Sequence, residues 1–173
     1  MRTETITIYK FSELPTQRAK ERAKDHFRED GFRSDHEAMK SITALAEHFD
    51  GKIDDWSIDW TGGSYSRMTF DMPELSGREI KRRLQSLGRY NRRTGRGIGD
   101  CKLTGWCWDE SCIDGFRKAF RGGERDVNKL MEAAFRELLK DTENEYEGSF
   151  EDANFAEWMD GNEYEFYENG ELV

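Results

Sequence analysis

The sequence predicts an α+β fold, a small antiparallel β-sheet with amphipathic helices packed mainly on one face, and three observations carry that expectation. Residues 56–72 hold two short alternating segments around a glycine-containing reversal. Five further segments space their apolar residues at i, i+3, i+4, the mark of a one-faced helix. Two Ser-x-x-Glu sequences, Ser34 to Glu37 and Ser76 to Glu79, stand at the starts of such segments, where they form capping boxes.

The alternating pair is the element the others must cover. Trp56, Ile58 and Trp60 alternate with Ser57 and Asp59, and Met68, Phe70 and Met72 alternate with Arg67, Thr69 and Asp71. A period of two places one apolar row on one face of each strand. Thr61-Gly62-Gly63-Ser64 between them supplies residues that take positive φ without a Cβ clash. A hairpin follows, with a face that buries two Trp and a Phe.

In chain order, the β-branched alternation of residues 3–9 predicts a strand. Ala19, Ala23 and Phe27 predict a helix over about 16–30, and Met39, Ile42, Ala46 and Phe49 a second one ending at Gly51. Beyond the hairpin (strands about 53–60 and 65–72), Ile80, Leu84 and Leu87 face inward from a helix that Gly88 ends. Residues 89–99 are too basic and glycine-rich to pack inside and are expected as a loop. Residues 101–108 are expected as a strand, 111–121 and 124–147 as helices, and Phe150, Phe155 and Trp158 as a last helical piece closed at Gly161. Residues 163–168, followed by Asn169-Gly170, are expected as a short edge strand and tight turn. The whole chain, 1–173, is expected as one domain.

Composition narrows the function classes. The chain is 35% apolar, 13% aromatic and 36% charged, so few large side chains build the core, each removing ~150–250 Å² from water. With no run of eighteen apolar residues and no signal-peptide core, the protein is expected to avoid membranes and act in the cytoplasm. Cys101, Cys107 and Cys112 lack disulfide or zinc spacing and are expected as reduced thiols. Cys107 is expected as a buried strand thiol. The net charge of −9 is unevenly spread: residues 141–173 hold 12 Asp and Glu and no Lys or Arg. All 27 Lys and Arg fall in residues 1–140, beside 24 acids. An asymmetry of this size speaks about partners.

Residues 8–23 carry a resemblance. Ile8-Tyr9-Lys10-Phe11-Ser12-Glu13-Leu14-Pro15, with Ala19-Lys20-Glu21-Arg22-Ala23 after it, resembles the opening of a widespread group of small phage and prophage accessory proteins. Asn162-Glu163-Tyr164-Glu165-Phe166 is similar to the acidic ending of that group, and the Gly62-Gly63 hairpin more loosely to its middle. Residues 78–123 lie outside the resemblance. What it implies is a phage gene product acting inside a bacterium, where many such proteins bind and block host or defence machinery, anti-CRISPR proteins among them. It brings no catalytic residues.

Two charged segments are the candidate sites. The basic one holds Arg78, Lys81, Arg82, Arg83, Arg89, Arg92, Arg93 and Arg96 against Glu79 alone. Arginines at this density neutralise phosphates and displace counterions, and the same segment can instead pair with the protein's own acids or lie in solvent. The acidic one includes Glu143, Glu147, Glu151, Asp152, Glu157 and Asp160, an array suited to occupying a basic nucleic-acid channel. A solvated face that aids solubility is the plainer account. The interleaved Trp158, Tyr164, Phe166 and Tyr167 favour a contact-making surface. Gly95-Arg96-Gly97-Ile98-Gly99 precedes a strand and lacks Lys-Ser/Thr, so turn chemistry explains it better than a phosphate cradle. His26, His36 and His48 have no ligand spacing.

The resulting expectation is a non-enzymatic binding protein with no cofactor and no metal. It inhibits a bacterial host or defence protein complex, by nucleic-acid mimicry. The alternative is a regulator that binds nucleic acid directly through residues 78–96.

Overall fold

A computed structural model describes residues 7–28, 35–59, 66–87, 89–90, 97–98, 103–105 and 107–173. In chain order these form β1 (Ile8–Tyr9), a 3-10 turn (Phe11–Glu13), α1 (Gln17–Arg28), α2 (Asp35–His48), β2 (Lys52–Ser57) and β3 (Arg67–Asp71). Then come α3 (Gly77–Ser86), β4 (Arg89–Tyr90), β5 (Gly97–Ile98), α4 (Trp108–Arg121), α5 (Val127–Ser149), α6 (Asp152–Gly161) and β6 (Phe166–Tyr167). The fold is α+β. Among the described residues its strands form antiparallel pairs, β1 with β6, β2 with β3 and β4 with β5, in place of one sheet. The chain divides into two compact units, residues 1–33 with 144–173, and residues 34–143.

The smaller unit is built from both ends of the sequence. Ile8 pairs with Tyr167 and Tyr9 with Phe166. Ala19, Ala23 and Phe27, four residues apart on α1, are all buried, as their helical spacing requires. They meet Phe11, Leu14, Phe150, Phe155, Met159 and Phe166 in one cluster. Phe155 lies edge-on to Phe11 with ring centroids 4.7 Å apart and to Phe27 at 5.8 Å, the geometry that aromatic quadrupoles favour. After β6 the chain reverses at Gly170, whose φ is +84°. A Cβ there would lie 2.0 Å from the Ala19 carbonyl oxygen, so glycine is required twice over.

In the larger unit, α2 buries Ala38, Ile42, Leu45, Ala46 and the following Phe49. Phe49 stacks on Phe116 of α4 at 4.5 Å. Gly115 of α4 faces α5 so closely that a Cβ would lie 2.5 Å from the Ala133 carbonyl oxygen and 2.8 Å from Glu137 Cβ. The second capping box forms as expected: Ser76 Oγ accepts the Glu79 N–H at 3.3 Å, and the Glu79 carboxylate accepts the Ser76 N–H at 2.9 Å. Ile80, Leu84 and Leu87 behind it are buried.

Four expectations need correction. The first hairpin strand begins at Lys52 and ends at Ser57, with a bulge between Ile53 and Asp55 that breaks strict alternation. Because of that bulge Ile53 and Trp56 share a face with Phe70 and Met68. Met68 is buried there, whereas Trp56 is 52% exposed; the face is right but its cover is partial. Trp60 and the reversal lie outside the described residues. Residues 103–105 are not strand, and Trp108 is the buried first residue of α4. Asp109 behind it fixes the approach, accepting the Thr104 and Gly105 N–H groups at 3.0 and 2.9 Å and the Thr104 hydroxyl at 2.7 Å. Cys107 is therefore exposed at the helix start and no strand thiol. Within the supposed loop 89–99, Arg89 pairs with Ile98 and Tyr90 with Gly97.

Gly115 and Gly148 make a controlled comparison of helix contacts. Gly115→Ala is expected to cost about 1–3 kcal/mol, because the methyl overpacks the α4–α5 approach. Gly148→Ala, with nothing within 4 Å of its Cβ position, is expected to gain about 0.5–1 kcal/mol from helix propensity. Urea melts of the two variants that shift equally and in the same direction would contradict this packing.

Candidate functional site

The acidic segment is anchored before it is displayed. Asp152 at the start of α6 accepts a charge-assisted hydrogen bond from Lys24 Nζ at 2.5 Å, with Lys20 Nζ at 3.5 Å. The Lys24 side chain is only 6% exposed, and Glu21 stands 3.6 Å from its ammonium. A buried ammonium requires such partners. Hydrogen bonding from Lys24 holds the Asp152 carboxyl below its ordinary value, against burial, which pushes it up. At the other end of the segment Arg22 pairs with Glu171. The α1 cations thus neutralise part of the acidic segment, an arrangement that neither account of its charge anticipated.

Most of what is left is exposed. Glu147, Glu151, Glu157, Asp160, Glu163, Glu165 and Glu168 are all at the surface. Among the described residues these seven carboxylates form no ion pair. The smaller unit contains eight Lys and Arg against sixteen Asp and Glu, a net −8, leaving −1 for residues 34–143. Of the expected acidic residues, Glu147, Glu151, Glu157 and Asp160 belong to this display. Asp152 is an internal anchor. Glu143 falls in the larger unit, partly buried on α5.

The aromatic residues between the acids do a different job from the one expected. Phe166 is fully buried, and Trp158 and Tyr164 pack against the same core. Trp158 lies edge-on to Phe27 at 5.0 Å. The alternation of acid and aromatic is therefore core packing with acids turned outward.

The basic segment is only partly a free surface. Arg78 and Arg82 are exposed one turn apart on α3. Arg83 is not: its Nη1 donates to the His48 carbonyl oxygen at 2.8 Å and its Nη2 to the Asp50 carboxylate. The Asp50 hydrogen bond raises the Arg83 pKa, and in return lowers that of Asp50. Arg83 closes the α2–β2 corner, where Asp50 adopts φ +59°. Arg89 lies in β4, and Arg92, Arg93 and Arg96 lie outside the described residues. Gly97-Ile98 is strand β5, and Gly95 and Gly99 on either side of it lie outside the described residues.

No group of three metal-ligating side chains occurs among the described residues. His48 Nε2 is 3.0 Å from the Arg83 carbonyl oxygen and 3.2 Å from Ser86 Oγ, a structural setting. A cleft of about 390 Å³ runs past Met72, Pro73, Leu75 and Arg125. The Arg125 Nη1 donates to the Phe120 and Glu124 carbonyl oxygens at 2.7 and 2.6 Å. Among the described residues no helix is long and apolar enough to cross a membrane. The chain matches no protein-family model, no curated protein and no solved structure.

The anchor gives a pH signature. Asp152 has a folded pKa below its unfolded value. Its contribution is fully present above the ordinary carboxylate pKa and is lost as pH falls through the depressed one. Asp152→Asn is expected to lower neutral-pH stability by about 1–2 kcal/mol, the carboxylate being half exposed. The gap from the parent protein should close as pH falls below the normal carboxylate range. A gap that persists unchanged in acid denaturation series would show that the Lys24–Asp152 pair is not its source.

Proposed function

We propose that this chain is a non-enzymatic binding protein, of phage origin by its resemblance, that inhibits a bacterial nucleic-acid-handling or defence complex in the manner of an anti-CRISPR protein. Its acidic surface stands in for a nucleic-acid backbone. The observation that carries this is the display of Glu147, Glu151, Glu157 and Asp160 without ion pairs among the described residues, on a unit with net charge −8. Seven unneutralised carboxylates repel one another and lower stability. Such an array also steers association with a basic partner and suits it to a channel evolved for phosphates. Direct nucleic-acid binding through residues 78–96 is the weaker account, because Arg83 is already held by Asp50 and the His48 carbonyl.

The test reverses the four exposed acids together: Glu147, Glu151, Glu157 and Asp160 to Lys. Because none holds an ion pair among the described residues, the melting temperature is expected to hold or rise. In a phage-plating assay on bacteria with an active nucleic-acid-targeting defence, the parent protein is expected to restore plating and the variant to fail. Full protection by the variant would overturn mimicry. Protection lost instead on Arg78→Glu with Arg82→Glu, with nucleic acid retained by the parent protein in a filter assay, would move the function to α3.

A further inference from the structure

Strand β3 reads Arg67-Met68-Thr69-Phe70-Asp71, charged, apolar, polar, apolar, charged, with ends of opposite sign. Its inner edge pairs with β2, and among the described residues its outer edge pairs with nothing. Arg67 and Asp71 are 70% and 68% exposed, and Thr69 is exposed between them. An unpaired edge of regular strand is a template for another strand. The two edges of this hairpin are not alike. β2 carries a bulge and the adjacent acids Asp54 and Asp55, and antiparallel self-pairing there would set those acids against each other. β3 has neither device.

A two-fold axis through Thr69 sets Arg67 opposite the partner's Asp71, Met68 opposite the partner's Phe70, and Thr69 opposite itself. The rows then continue across four strands. On one face Trp56 stands beside Met68, and Ile53 beside Phe70. Pairing two copies aligns Trp56, Met68, the partner's Phe70 and the partner's Ile53. On the other face Arg67 holds Asp55 at 3.1 Å and Lys52 holds Asp71 at 3.4 Å. Pairing makes this a chain of alternating sign, its first step diagonal because Asp55 stands across from Thr69: Asp55, Arg67, the partner's Asp71, the partner's Lys52. Opposite charges directly across a strand pair stabilise it and like charges destabilise it. We propose that β3 pairs edge to edge with β3 of a second copy of this chain, in register about Thr69, giving an isologous dimer through a four-stranded antiparallel sheet. Five residues of strand make a small interface, so the association is reversible.

Sedimentation of the full chain from about 1 μM to about 1 mM tests it. The parent protein is expected to pass reversibly from one protomer to two. Arg67→Asp and Asp71→Arg, each checked for parental circular dichroism, are each expected to weaken self-association about tenfold or more, since two like-charge pairs then face each other. Mixing the two variants in equal amounts is expected to restore dimers, because the doubly acidic strand of one meets the doubly basic strand of the other. As a second measurement on the unaltered chain, amide-hydrogen protection at residues 67–71 is expected to grow with concentration. A single protomer throughout the range overturns the proposal. So do dimers unaffected by either variant, mixing that restores nothing, or concentration-independent protection at 67–71.

Discussion

The smaller unit depends on one constraint: residues separated by the 110 positions from 34 to 143 must be brought together. Closing a loop of that length costs roughly 4 kcal/mol of chain entropy beyond a constant term. A fully buried phenylalanine returns about 1.5–3 kcal/mol. No single ring therefore holds the unit closed. Phe11 and Phe27 from one end of the sequence, and Phe155 and Phe166 from the other, act together through edge-on contacts. The two-residue pairing of β1 with β6 is too short to do this alone, since short strand pairs are marginal without a packed face. It fixes the register of the two segments.

The same closure explains the distribution of charge. Packing α1 against α6 brings Lys20 and Lys24 to Asp152, and the turn after β6 brings Glu171 to Arg22. Lys24 is the more instructive partner. Its side chain is buried and its ammonium lies 5.9 Å from the Phe11 centroid, where an unpaired charge would be costly. Asp152 is thus a condition of the core, and its position in the sequence among outward-facing acids hides that role. The remaining acids have no such condition to satisfy. They stand at the surface without an ion pair among the described residues, Glu163 at a left-handed φ of +57°, and the proposed mimicry rests on this dense run of one sign.

Much of the architecture was legible because local rules and packing agreed. The i, i+4 spacing of Ala19, Ala23 and Phe27 gave α1 within two residues, and Ser76 with Glu79 gave the start of α3. Asn169-Gly170 marked the turn that Gly170 makes with positive φ. The failures have physical causes. Trp106, Cys107 and Trp108 alternate like a strand with residues around them, but the Asp109 carboxylate captures two backbone N–H groups upstream and starts a helix. The bulge in β2 brings Ile53 onto the face of Trp56, and no spacing rule announces a bulge. Partition of a charged segment between anchor and display was legible only in part. Nothing within residues 141–173 distinguishes Asp152 from Glu151, whereas Arg83 stands three residues after Ile80, beside the apolar stripe of α3, and Arg82 lies on the opposite stripe. The difference lies in Lys24 and Asp50, which are distant in sequence.

Arg83 and Asp152 also show why counting charges overstates a binding surface. Each sits in a run of like charge, and each is the member that turns inward to a partner of opposite sign. Removing them from the two runs affects the two surfaces unequally. The basic run loses its most central helical arginine, leaving Arg78 and Arg82 as its exposed arginines on α3. The acidic run keeps seven exposed carboxylates that form no ion pair among the described residues. Long-range steering scales with net charge on the face a partner approaches, and is screened beyond about 8–10 Å at physiological salt. On the smaller unit the acidic excess survives internal pairing, at a net −8. On the larger unit the nineteen Lys and Arg are matched by twenty Asp and Glu. The lasting electrostatic character of this protein is therefore anionic and belongs to the unit closed by its two chain ends, which is why the acidic surface, and not the more conspicuous arginine run, carries the proposed function.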